Sequence, residues 1–292
     1  MRNLSCVGQI EWQEPNRLKL DPLYIANRGS RASTVTGVVW LGDNLVVANH
    51  RDGMRVALFD VSTGGMLAHA AVPHLNDSCD ARVVAPGVWE IVLSGCWEAA
   101  FSIYRLSLNG APRFDLIRTH WFNNRSFCHG ATWSSDGKVW LSFMTGRDPR
   151  IEIFPRGKIW RLPSPWGSRG ICFDGGSEEV WCVANSNNPK KTSFERTGMT
   201  IFRKRPLEEE WESFFSIEQV HGDCVVLHKG RLWVNDQYGD RLLRVDAEGK
   251  AEFFGSDMLS FPHALAISGN SILAVTNYGS SDIVFFDLNR CE

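Results

Sequence analysis

The chain lacks any apolar run approaching the roughly 20 residues of a membrane-spanning helix. Its first residues, Met1-Arg2-Asn3-Leu4-Ser5-Cys6, have no long apolar stretch behind them, so no secretory signal is expected. It also lacks an excess of charge: 31 basic against 33 acidic residues leave a net −2. That balance offers no electrostatic footprint for nucleic acid or an anionic membrane surface, and neither is expected as a partner. The eight cysteines (Cys6, Cys79, Cys96, Cys128, Cys172, Cys182, Cys224, Cys291) contain no CxxC pair. A chain of this length needs no disulfide staples, so they read as reduced core residues of a cytoplasmic protein. No nucleophile elbow, phosphate loop, dinucleotide fingerprint or His-Glu-x-x-His motif is present, which removes the common hydrolase, kinase and dehydrogenase classes. No nucleotide or flavin cofactor is expected. Convincing helical periodicity is missing everywhere, and the one segment that could make a helical turn is Leu207–Trp211.

What the chain has is a repeat. Apolar residues make up 43% of it and charged residues 22%, ordinary for a globular protein. Six segments share one form: a polar residue, Gly or Ala, an apolar stretch, a turn, then a second apolar stretch that often holds Trp. They begin Thr36-Gly37-Val38, Asp80-Ala81-Arg82, His129-Gly130-Ala131, Arg169-Gly170-Ile171, His221-Gly222-Asp223 and His263-Ala264-Leu265, spaced 40 to 52 residues apart. Several short strands in each period of that size mark a β-propeller. The fifth repeat shows the unit: strands over Gly222–Leu227, Arg231–Asn235, Arg241–Val245 and Lys250–Phe254, with turns at Lys229-Gly230 and Glu248-Gly249.

The expected architecture is therefore all-β: a single six-bladed propeller over residues 1–292. Its four-stranded antiparallel blades cover about 36–70, 80–118, 129–162, 169–215, 221–254 and 263–288. The last repeat offers three strands, so the N-terminal segment Ser5–Trp12 is expected to supply the fourth and close the ring. Trp89, Trp140, Trp181 and Trp233 recur in second strands, and are read as filling the space between blades and not as a binding box.

Lys229-Gly230-Arg231-Leu232-Trp233-Val234-Asn235-Asp236 followed by Arg241-Leu242-Leu243-Arg244-Val245 resembles the NHL repeat. The likeness extends to its relatives: SMP-30/gluconolactonase-type propellers, virginiamycin B lyases and the lyase domain that completes peptide amidation. The resemblance spans nearly the whole chain as a repeat pattern and identifies architecture better than chemistry. WD40 is a poor match, because no Trp-Asp dipeptide occurs.

In such a ring the first strands line the channel, and the repeat-initial residues Thr36, Asp80, His129, Arg169, His221 and His263 encircle its mouth. Three imidazoles, His129, His221 and His263, suit zinc or a similar divalent transition metal with an open position. The amidation lyase that the ring resembles implies the same arrangement, three channel histidines around zinc. The alternative is a wet channel in which these histidines only hydrogen-bond. Calcium is disfavoured, because the ring offers it little besides Asp80 and Asp223. Asp80 or Asp223 would be the acid/base. Arg169 would anchor an anionic substrate group, or else pair with one of those carboxylates. Tyr238, Tyr278 and Trp121 are further candidates for substrate contact. The long segments 119–128 and 185–198 suggest a lidded pocket on the same face, whereas Asn49, Asn185, Asp236 and Asn277 read as turn-builders. The reading favours a small-molecule enzyme at the channel mouth, a metal-assisted lyase, a lactonase-like hydrolase or an isomerase/cyclase. The alternative is a non-catalytic NHL-like scaffold binding a protein or peptide on its top face.

Overall fold

Alternating apolar and polar residues between glycine turns produce six small antiparallel sheets arranged as a ring. The structure is a computed structural model and describes residues 8–9, 12–19, 34–96, 98–123, 127–144, 149–155, 157–162, 166–186 and 198–290. Blade 1 runs Val35–Trp40, Leu45–His50, Arg55–Asp60 and Gly65–Ala71, and blade 2 runs Asn76–Ala85, Val88–Gly95, Ala100–Ser107 and Arg113–Trp121. Blade 3 is Cys128–Trp133, Val139–Phe143, Arg150–Phe154 and the two-residue Ile159–Trp160; blade 4 is Trp166–Phe173, Val180–Ser186, Met199–Lys204 and Glu212–Ile217. Blade 5 is Val225–His228, Arg231–Asp236, Arg241–Val245 and Ala251–Gly255.

Blade 6 has three strands of its own, Pro262–Ile267, Ile272–Asn277 and Asp282–Asp287. The N-terminal region supplies the fourth, but further along than expected. The closing strand is Trp12–Lys19, antiparallel to Asp282–Asp287 with Trp12 opposite Phe286 and Lys19 opposite Asp282. Pro15, which reads as a strand breaker, falls in the register shift between Trp12 and Arg17. A bulge on an outermost strand needs no ladder hydrogen bond there, so proline is tolerated. Within the expected closing segment, Gly8–Gln9 instead pairs in parallel with the outer strand of blade 5. The Leu207–Trp211 stretch makes turns and bends; single 3-10 turns occur at Gln237–Gly239 and Leu288–Arg290.

Each of the six apolar clusters is one interface between neighbouring blades. Val47, Leu58, Ile91, Leu93, Tyr104 and Leu106 join blades 1 and 2. Val38, Trp40, Phe59, Ala274, Ile283 and Phe285 join blades 6 and 1, which closes the ring with packing as well as with a strand. Trp181 and Trp233 are buried in such interfaces, and Trp89 and Trp140 are packed against them. The six cysteines among the described residues are free thiols. No helix among the described residues is long and apolar enough to cross a membrane.

Candidate active site

The first strand of each blade is interrupted near its start. Register shifts interrupt it at Val35/Gly37, Asn76/Cys79, Cys128/Gly130, Ser168/Ile171 and Pro262/Leu265 in five of the blades. In blade 5 the strand starts only at Val225, after an irregular His221–Cys224. A bulge re-aims a side chain, and here each carries one residue out of the sheet face toward the axis.

A belt of side chains at the ends of the second strands holds these bulges. Ser94 Oγ donates to His129 O at 2.7 Å, and Ser142 Oγ donates to Arg169 O. Asn49 Nδ2 donates to Asp77 O at 2.9 Å, Asn185 Nδ2 to Gly222 O at 2.9 Å and Asn235 Nδ2 to Pro262 O at 2.7 Å. Asn49 and Asn185 therefore join blades and do not merely build turns. Asn277 does build its turn, on Met258 O and Asp282 Oδ1, while Asp236 accepts from His221 N and Arg241 Nε. The glycine after the ring residue has its cause here as well. A Cβ on Gly130 would lie 2.5 Å from Arg169 O, and one on Gly170 2.6 Å from Asp223 O.

The belt corrects the ring. Ser94 Oγ accepts from Ser78 N just as Ser142 Oγ accepts from Gly130 N, so the blade 2 counterpart of His129 is Asp77 and not Asp80. Asp80 lies three residues further on. Its carboxylate accepts from Thr132 Oγ1 and Trp133 N at 2.8 Å each and from Ala81 N at 2.8 Å, a clasp between blades 2 and 3. Burial raises its pKa despite those bonds. Asp77 escaped the sequence reading because Ser78 stands where the other repeats carry Gly or Ala, whereas Asp80-Ala81 matches that pattern.

At the axis Asp77 is fully buried. Its Oδ2 lies 3.2 Å from His129 Nε2 and its Oδ1 3.5 Å from His263 Nε2. The two imidazoles stack at 5.6 Å and 25°. His263 Nδ1 lies 2.8 Å from Thr36 O and donates to it, which turns Nε2 toward Asp77. One ligand atom from each of Asp77, His129 and His263 lies within 4.8 Å of the others.

Asp223 forms the neighbouring centre. Its Oδ1 accepts from Arg169 Nη1 at 2.7 Å and lies 3.6 Å from His221 Nε2 and 3.7 Å from His129 Nε2. Arg169 is thus engaged by a carboxylate. Burial alone would raise the Asp223 pKa, but Arg169 and the three imidazoles outweigh it and hold the group well below the usual carboxylate range. Burial pushes His129 and His221 down to about 4 in spite of their aspartates, so both are neutral at pH 7.

Tyr238 packs on His221 at 4.7 Å and Tyr278 stacks on His263 at 5.8 Å, with Phe261 between the two tyrosines. Arg51, which the sequence reading missed, donates from Nη2 to the Tyr278 hydroxyl. It sits two residues past belt residue Asn49, as Tyr278 sits two past Thr276, whose Oγ1 accepts from Ala264 N. Trp121 does not join this group. It ends the outermost strand of blade 2, is 51% exposed and lies edge-on to His74.

A cavity of about 510 Å³ reaches Thr36, His129, Asp223 and His263 from the face of the turns between first and second strands. Residues 187–197 and 124–126, the expected lid on the other face, lie outside the described residues. The donor set fits a divalent transition ion. Two imidazoles and a carboxylate with open positions are what such an ion accepts, and both Asp77 oxygens are buried without an N–H or O–H donor, the Cys96 thiol lying beside them. His221, expected as the third ligand, lies outside the three that converge and faces Asn185 and Asp223.

No protein-family model and no curated protein sequence matches the chain. Solved structures do. The PQQ-bound aldose sugar dehydrogenase of Streptomyces coelicolor superposes with a TM-score of 0.64 at 11% identity, over 88% of this chain and 95% of that one. Virginiamycin B lyase from Staphylococcus aureus gives 0.56 at 16% identity, over 89% and 82%. A chain of the nidogen/laminin complex gives 0.60 at 11% identity, over 80% and 84%. At such identities the likeness shows the fold, a six-bladed β-propeller.

Proposed function

We propose that the chain is a small-molecule enzyme whose active site is the buried polar ring at the channel centre, with a divalent transition ion held by Asp77, His129 and His263. The observation that carries this reading is the Asp77 carboxylate, wholly buried beside two imidazole nitrogens with no N–H or O–H donor for either oxygen and only the weak Cys96 thiol beside it. Burying such a charge unmet costs several kcal/mol, which a cation offsets. The ion would supply a Lewis acid, able to polarise a carbonyl or lower the pKa of water.

The chain's own groups supply the proton chemistry. His221 is held neutral by burial, with Asn185 Nδ2 at 3.4 Å and Asp223 Oδ1 at 3.6 Å from its Nε2, and serves as the base. Arg169 keeps Asp223 ionised, so this carboxylate orients the base and stabilises its charged form. Cys79, Cys172 and Cys224 line the cavity, but burial raises their pKa, so they stay protonated and are poor nucleophiles. A base and an electrophile without a covalent nucleophile suit elimination and hydrolysis by water alike, and the likeness in fold favours a lyase ahead of a hydrolase. Virginiamycin B lyase, a lyase on this fold, supports that order, and the NHL-like repeat supports kinship with NHL/SMP-30-type propellers.

One observation favours a second reading, a non-catalytic scaffold: Leu116, Ile117 and Trp121 lie 45–51% exposed along the outer strand of blade 2. Metal analysis of protein purified without chelator separates the two. The enzyme reading expects close to one transition-metal ion per chain, lost in Asp77→Asn and His129→Ala with the circular dichroism of the propeller unchanged. Metal-free wild-type protein that takes up no zinc on dialysis would falsify it.

A further inference from the structure

The ring leaves two buried groups of opposite sign unmet. One is Asp77; the other is Arg51, whose Nε–H is buried and has no acceptor. The Arg51 side chain is 11% exposed, its guanidinium lies 4.9 Å from the Tyr278 ring centre, and Asp52 approaches Nε only to 3.8 Å. Burial by itself would lower its pKa, yet Asp77, ahead of Tyr278, Cys96 and Asp52, holds it above the ordinary value. The stacked rings of His129, His263 and Tyr278 lead from the Asp77 group to this cation. Phe261, which braces Tyr278, has a φ of +52°, a left-handed conformation that a bulky residue keeps only under constraint from its surroundings.

Charge decides what is missing. Asp77, Asp223 and Asp52 face Arg51 and Arg169. A divalent ion therefore adds positive charge beside two guanidinium groups, which calls for an anion in the cavity. Arg169 is already engaged by Asp223 at 2.7 Å, so the free donor is Arg51. We infer that the substrate is a carboxylate with a second oxygen beside it, such as a dicarboxylate or a 2-hydroxy acid. Its carboxylate accepts from Arg51 Nε–H, and its oxygens complete the coordination offered by Asp77, His129 and His263. This rests on the metal reading above.

Oxalate, a small dianion with two adjacent carboxylates, is the probe. Zinc per chain is measured after dialysis, and oxalate binding to the zinc-loaded full chain is then followed by calorimetry. Oxalate should bind the zinc-loaded protein and not the EDTA-treated one. Arg51→Met should keep its zinc but bind oxalate at least tenfold more weakly, and Arg51→Lys should recover part of the loss. Equal oxalate affinity in Arg51→Met with zinc retained overturns the role of Arg51, and binding of inorganic phosphate in place of oxalate overturns the carboxylate class. Failure to hold zinc is a different result, and overturns the metal reading first. Should Arg51→Met not fold, the wild type still decides: oxalate must raise the melting temperature of the zinc-loaded form and leave that of the EDTA-treated form unchanged. No rise in the zinc-loaded form sinks the inference.

Discussion

Two interiors meet along every innermost strand. At the blade interfaces the buried groups are apolar and fully packed: Phe101 is inaccessible, with Phe154 edge-on at 4.9 Å and Phe122 at 6.0 Å. At the axis the buried groups are polar and only half satisfied, with Asp77 and the Nδ1 atoms of His129 and His221 lacking partners. The first interior makes the ring stable; the second is tolerated by it. Residues that lower stability while remaining buried are those whose presence calls for a ligand.

Substitutions should separate the two interiors by sign as well as size. Phe101→Ala opens a cavity between blades 2 and 3 and should cost about 3–5 kcal/mol, measured by urea unfolding. A loss below about 1 kcal/mol would mean that the interfaces are not the source of stability. His74 stands between the two regimes. It is fully buried, its Nε2 is 2.9 Å from Ser102 Oγ, and burial lowers its pKa to about 4. A folded pKa depressed below the unfolded 6.5 means that the unfolded chain binds the proton first. Stability is then fully present above pH 6.5 and drains as the pH falls toward 4, by on the order of 3 kcal/mol for such a group. Wild type should lose more stability between pH 7 and 4.5 than His74→Gln, and parallel losses would refute that assignment. The smallest effect is expected where the charge is unmet. Asp77→Asn should leave the stability of the metal-free protein unchanged, since it trades a buried carboxylate that accepts no N–H or O–H bond against the loss of its attraction for Arg51. A clearly lower urea midpoint for that variant without metal would make Asp77 a structural residue.

How far the molecule could be read in advance differs between the same two interiors. The blades were legible because turns and alternation are local. Lys229-Gly230 has φ of +48° and +72°, the paired positive values of a tight hairpin; the strands on either side meet that turn within one residue of where their pattern puts them, although the first starts at Val225 and not at Gly222. His129, His221 and His263 were found because glycine or alanine marks the bulge that aims them. Asp77 was not, because Ser78 fills the glycine's place and the mark is absent. Arg51 was missed since its role depends on Tyr278, more than two hundred residues away, a partner no local pattern announces. Trp121 was grouped with the mouth through its neighbours in sequence, but a fourth strand is the rim of a blade and faces away from the axis. Pro15 hid the closing strand, because a bulge that excuses a proline cannot be told from a strand end by composition.

That closing strand sets a clock on folding. Trp12 opposes Phe286, so this strand must wait for a partner made 274 positions later. At synthesis rates of 5–20 residues per second, this interval is roughly 15 to 55 seconds, far longer than a hairpin needs to form. Blades 1 to 5 can form their own sheets meanwhile, but blade 6 stays a three-stranded fragment with an open edge until the N-terminal strand arrives. The chain therefore spends its most adhesive moments just before completion, and the ring's closure is also its protection against pairing with another copy.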